Sequence, residues 1–152
     1  MNVSDEDVIA YFSNIKAKGD EIGIEVFQTH GSFSGQVSSY PGGPAEYVRR
    51  AELDFIATKA LGAKYCIQHP YINLNRRYDV CREQSIEEAI HVYREYIPAL
   101  EKTGVICCLE NMHHGDKVYS HRCATSLSRA KELAEVSDML GKNFGVCLDV
   151  GH

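Results

Sequence analysis

Four segments of this chain obey one grammar at nearly constant spacing. Each has a helical pattern, a glycine, a short apolar run rich in β-formers, and a polar end residue capable of chemistry. They are GIEVFQTH ending at His30, GAKYCIQH at His69, GVICCLE at Glu110 and NFGVCLD at Asp149. Successive end residues stand 39, 41 and 39 positions apart. The runs stay apolar over about four residues with little alternation, as parallel strands covered on both faces do. Helices between such strands predict an αβαβαβαβ order, a parallel sheet and right-handed crossovers.

The predicted helices carry their own signals. One begins at Ser85, which can cap, and Glu88 three residues on completes a capping box. Its stripe is Ile86, Ala89, Ile90, Tyr93, Ile97 and Leu100, and Pro98 should kink it or end it early. A second helix, about Pro44 to Leu61, is expected to bury Leu53, Ile56, Ala57 and Ala60. A third, about Thr125 to Leu140, presents Leu127, Ala130, Leu133, Ala134 and Met139. The first, Ser4 to about Lys18, shows Val8, Phe12 and Ile15. The connections are lopsided: long after each of the first three strands (31–43, 71–84, 112–124), short and glycine-marked before each strand. In β/α barrels the site is built from the loops at the carboxyl ends of the strands, and loops this long are usually functional.

Composition narrows the classes. A length of 152 residues fits one domain with a real core. The formal charge of −5 argues against a nucleic-acid partner, which requires a basic surface. No apolar run reaches the roughly 18 residues of a membrane span, and the acidic start MNVSDEDVIAYF does not resemble a secretory signal. Of six cysteines, Cys66, Cys107, Cys108 and Cys147 sit in apolar runs with no CxxC pairing, the usage of buried reduced thiols in a cytoplasmic protein.

His30, His69, Glu110 and Asp149 end four successive parallel strands and are expected to face one mouth. Glu110 and Asp149 offer oxygen ligands to Mn2+, Mg2+ or Zn2+, and His30, His69 and His152 offer imidazole nitrogen. Asn111 can orient Glu110 from behind. Arg76, Arg77 and Arg82 have the fork that matches phosphate, although a solvated loop is the plainer reading. His113, His114 and His121 fit no strict metal spacing and read as loop residues.

The stretches QTHGSF, AKYCIQHPY, ICCLENM and FGVCLDVGH resemble the sugar phosphate isomerase/epimerase group with the xylose isomerase-like TIM barrel. Type-four apurinic endonucleases share that fold. The resemblance covers nearly the whole chain and makes its four strands similar to the third to sixth of eight. It implies an α/β fold in which residues 1–152 are a single partial barrel of about four β/α units. Complete (β/α)₈ domains need at least about 200 residues. A truncated piece is therefore expected, or else a half-barrel closed by a second copy, a homo-oligomer covering the exposed sheet edges.

The same resemblance implies a mechanism. One divalent ion is held by a Glu, an Asp, a His and a last Glu; Glu110 matches the first and Asp149 the second, while the other two have no counterpart here. The substrate is a small sugar or sugar phosphate, converted by proton transfer through an enediolate, with Glu110 as both ligand and acid/base. His152 looks like the substrate-binding histidine of an Asp-x-x-His motif, and His30 and His69 line the pocket. An alternative follows the endonucleases, where positions like His30, His69, Glu110, Asp149 and His152 bind three zincs and cleave a phosphodiester. The acidic charge, the Asn-Met-His-His after Glu110 and the lack of an NLGSP-like stretch argue against it. A third possibility is that the chain is inert alone, lacking two ligands.

Overall fold

A computed structural model describes residues 3–32, 40–72, 81–112, 114–116, 121–123 and 125–151. Helix α1 (Asp5–Ile22) begins where the sequence supplies a cap: Ser4 Oγ accepts the N–H of Asp7, and Asp5, Glu6 and Asp7 occupy the positive first turn. It stops at Gly23, whose φ of 74° suits glycine. Strand β1 (Gln28–His30) follows, then α2 (Gly43–Ala60), with Pro44 in its first turn where no N–H is required. The order continues with β2 (Tyr65–Gln68), α3 (Arg82–Arg94), α4 (Ile97–Thr103), β3 (Ile106–Glu110), β4 (His114–Asp116), β5 (His121–Cys123), α5 (Ala130–Leu140) and β6 (Phe144–Cys147).

Strands β1, β2, β3 and β6 form one parallel sheet in that order. Its register sets His30 beside Ile67, Ile67 beside Cys108, and Glu110 beside Cys147. This is the parallel α/β arrangement that the forty-residue period predicts. The short strands β4 and β5 pair antiparallel within the third long connection, which the sequence pattern reads as loop.

The core lies between this sheet and the helices, around Phe55, Tyr93, Tyr96, Leu109, Leu133 and Phe144. Tyr93 and Tyr96 meet edge to face, and the hydroxyl of Tyr93 accepts the Tyr71 N–H at 2.7 Å. A phenol this deep therefore keeps a polar partner. No helix among the described residues is long and apolar enough to cross a membrane.

Several local expectations are corrected. Ser85 does not cap a helix: α3 starts at Arg82, and Ser85 Oγ donates back to the Cys81 carbonyl at 2.8 Å, the ordinary bond of a serine one turn inside. Pro98 does break the pattern, falling in the first turn of the separate helix α4. In α2 the buried stripe is Tyr47, Ala51, Phe55, Ile56 and Thr58, while Leu53, Ala57 and Ala60 are half-buried. The aromatic rings set the helix rotation. In α5 the buried set is Glu132, Leu133, Val136, Ser137 and Leu140, so Ala134 and Met139 face outward. Ile15 is exposed as well, because α1 packs against α2 along its other flank.

Candidate metal centre

Strand alternation decides which residues face inward. Thr29 meets Thr58 of α2 at 2.6 Å, so its neighbour His30 points to the opposite, inner face. Gln68 reaches Asp54 of α2 at 3.1 Å, which sends His69 inward. Leu109 belongs to the helix-side core, which leaves Glu110 on the inner face. Three adjacent parallel strands thus deliver two imidazoles and a carboxylate to one point at their carboxyl ends.

The distances are those of a ligand set. His69 Nε2 lies 3.2 Å from Glu110 Oε2, and His30 Nε2 lies 3.4 Å from the same oxygen. The two rings meet edge to face with centroids 4.7 Å apart. One ligand atom from each residue falls within 4.8 Å of the others. Bonds of 2.0–2.1 Å to a tetrahedral ion place neighbouring donor atoms about 3.3 Å apart. His30, His69 and Glu110 therefore fit a borderline divalent cation such as Zn2+, with imidazole nitrogen and carboxylate oxygen as donors. His69 and Glu110 are buried, whereas the His30 side chain is 39% exposed, so the approach lies on its side. His30 Nδ1 stands 2.9 Å from the Gly31 carbonyl, an acceptor, and its Nε2 stands 3.4 Å from the Glu110 carboxylate, also an acceptor. A ring with its hydrogen on Nδ1 would present the Nε2 lone pair to a bound cation.

Asp149 occupies a neighbouring position, two residues beyond the end of β6. Its carboxylate accepts the Gly151 N–H at 2.6 Å and is not part of the three-residue group. Burial raises the Cys147 thiol, and the negative charges of Glu110 and Asp149 raise it further. Asn111 acts on Asp149 from both sides: its amide donates to the Asp149 carbonyl at 2.9 Å and accepts the Asp149 N–H at 2.7 Å. These two bonds run to the Asp149 backbone, whereas the sequence reading has Asn111 orient Glu110. Arg82 pairs with the buried Glu132 at 2.8 Å, which in turn accepts the Leu127 N–H. His114 and His121 stand on the β4–β5 ribbon. His152, Arg76, Arg77 and His113 lie outside the described residues.

Sequence reasoning missed Asp54 and Gln68. Their signal was present: Asp54 shares a helix face with Ala51, Phe55 and Thr58, where a charge is out of place, and Gln68 precedes His69 within an apolar run.

A parallel sheet flanked by helices, with its polar residues gathered at the carboxyl ends of the strands, defines a segment of the β/α-barrel class. The profile of the xylose isomerase-like TIM barrel family matches residues 2–152, and the chain belongs to that family. Solved structures agree on the fold. A D-tagatose 3-epimerase-like protein aligns over 98% of this chain and 52% of its own, with a TM-score of 0.71 and 16% identity. The 3-keto-D-glucoside 4-epimerase YcjR from E. coli, in its apo form, aligns over 96% of this chain and 56% of its own, with a TM-score of 0.66 and 12% identity. The IOLI protein with a bound zinc atom aligns over 95% of this chain and 46% of its own, with a TM-score of 0.60 and 16% identity. The chain thus spans about half the length of these structures. A sequence search of curated proteins finds no match.

Proposed function

We propose that this chain contributes the Glu110 side of a divalent-metal-dependent isomerase or epimerase site acting on a small sugar or sugar phosphate. The observation that carries the reading is the convergence of His30, His69 and Glu110 at the carboxyl end of a parallel sheet. A bound cation (Mn2+, Zn2+ or Mg2+) would supply the positive charge that polarises sugar oxygens. Glu110 serves as ligand and as the base that moves a proton at the carbon beside the carbonyl. The imidazoles of His30 and His69 hold the ion or meet sugar hydroxyls, and Asp149 brings a second carboxylate whose backbone Asn111 keeps in place. His152 completes the sugar contacts. Two structural relatives, one an epimerase and one epimerase-like, and the bound zinc of a third support this choice. The test is Glu110→Gln: ketose turnover should vanish, and retained turnover would remove Glu110 from the proton transfer.

One observation favours a second reading. The group formed by His30, His69 and Glu110 excludes the Asp149 carboxylate, which suits a multi-zinc phosphodiesterase better than a single-ion isomerase. The net charge of −5 opposes a DNA substrate. Metal analysis separates the two: one ion per chain fits the isomerase, and three zincs with cleavage of apurinic DNA fit the phosphodiesterase.

A further inference from the structure

We infer that Asp54, a helix residue outside the ligand group, is a positioning residue that holds the chain beside both histidines and so sets how their rings meet Glu110. The inference deepens the proposed metal site and rests on it only for its consequence in metal affinity. Among the described residues, the Asp54 carboxylate on α2 receives three hydrogen bonds, from residues within two positions of the two histidines. Ser32 N donates to Oδ2 at 2.8 Å and Ser32 Oγ to Oδ1 at 3.1 Å; Gln68 Nε2 donates to Oδ2 at 3.1 Å. Ser32 stands two residues after His30, and Gln68 stands immediately before His69.

Gly31 joins these contacts to His30. Its N–H donates to the Ile67 carbonyl at 2.8 Å, and its own carbonyl faces His30 Nδ1 at 2.9 Å. A Cβ at this position would overlap the Gln68 amide and stand 2.8 Å from Asp54 Oδ2, so any larger residue would push these two side chains aside. The path is short: Asp54 fixes Ser32 and the turn at Gly31, whose carbonyl faces His30 Nδ1 while Nε2 faces Glu110. On the other side Asp54 fixes Gln68, whose backbone leads directly into His69. Packing alone does not call for a partly buried carboxylate here. Burial pushes its pKa up, against the bonds from Ser32 and Gln68.

Long-range proton–nitrogen spectra of the metal-free protein read the ring nitrogens of His30 directly. Asp54→Asn, nearly isosteric, should shift those resonances and weaken Zn2+ binding about 10–100-fold, the usual effect of losing a partner behind a ligand. Ser32→Ala, a milder change, should move the same resonances less. Glu52→Gln, on the same helix but paired with Arg49, should leave the His30 pattern in place. Unchanged His30 ring resonances in Asp54→Asn and Ser32→Ala overturn the inference, as does an equal loss of Zn2+ affinity in Glu52→Gln. If wild type binds no Zn2+ and the His30 resonances still respond to Asp54→Asn, the metal reading fails while the hold on His30 stands.

Discussion

The imidazole of His69 and the carboxylate of Glu110 face each other at 3.2 Å in a place almost closed to water, with side chains 7% and 5% exposed. A pair so placed is well satisfied when a cation takes both donor atoms, because burial penalises an unpaired charge. Titration with Co2+, followed by its visible absorption, should report one site containing nitrogen and oxygen donors. His69→Ala and Glu110→Gln should each lower affinity by more than about 100-fold, beyond the 10–100-fold typical of outer partners. Equal binding by either variant and wild type would place the ion elsewhere.

Asn111 makes two hydrogen bonds to the backbone of one residue, and Asp149 lies on the turn that follows β6. Asn111→Ala leaves that carbonyl and N–H without the amide. The expected loss is about 1–3 kcal/mol in chemical denaturation, with faster hydrogen exchange at the Asp149 amide. A loss of stability without faster exchange there would mean that Asn111 supports the fold at another point.

How much of this was legible follows from the kind of signal each feature leaves. The parallel sheet was readable because strand period, glycine turns and end residues recur together, and tertiary packing could not easily override four repeats. Convergence of His30, His69 and Glu110 followed from that same register. What failed was phase. In α2 the aromatic rings of Tyr47 and Phe55 took the core position, turning Leu53 and Ala57 partly outward. Ser85 carried a cap signature, but a serine hydroxyl bonds a carbonyl one turn back equally well. Asp54 did leave a signal, a charge on an apolar helix face, but its role depends on Ser32 and Gln68 arriving from other elements, which no local pattern encodes.

The start of α1 is tied to two other helices through Asp5, which accepts from Arg49 of α2 at 2.6 Å and Lys102 of α4 at 3.4 Å. The Arg49 bond, more than the opposing partial burial, holds the Asp5 carboxyl below its ordinary value of 3.8. A folded-state pKa lowered in this way stabilises the protein above the unfolded value, and the contribution disappears as pH falls through the folded one. Asp5→Asn should therefore cost up to about 1 kcal/mol at pH 7, the range of surface pairs. The difference from wild type should shrink below about pH 4 and in high salt. Thermal denaturation at several pH values reads this directly, and a difference that persists at pH 2 would assign the effect to packing.

Cys108 probes the inner face of the sheet, since its neighbour Cys107 lies in the helix-side core and its sulfur sits opposite Gly145. Burial, and to a lesser degree the neighbouring Cys147, pushes its pKa from 9.0 up to about 11. Only the thiolate alkylates. Labelling at pH 8 should run at about one-thousandth of its limiting rate and rise about tenfold per pH step until near pH 11. The linkage has a definite sign: an unfolded chain releases this proton first, so the fold loses stability as pH climbs from about 9 to 11. Cys108→Ala should remove that part of the alkaline slope. Peptide mapping after iodoacetamide treatment measures the first effect; a plateau already reached by pH 9 would mean that water bathes the inner face and that no partner covers it.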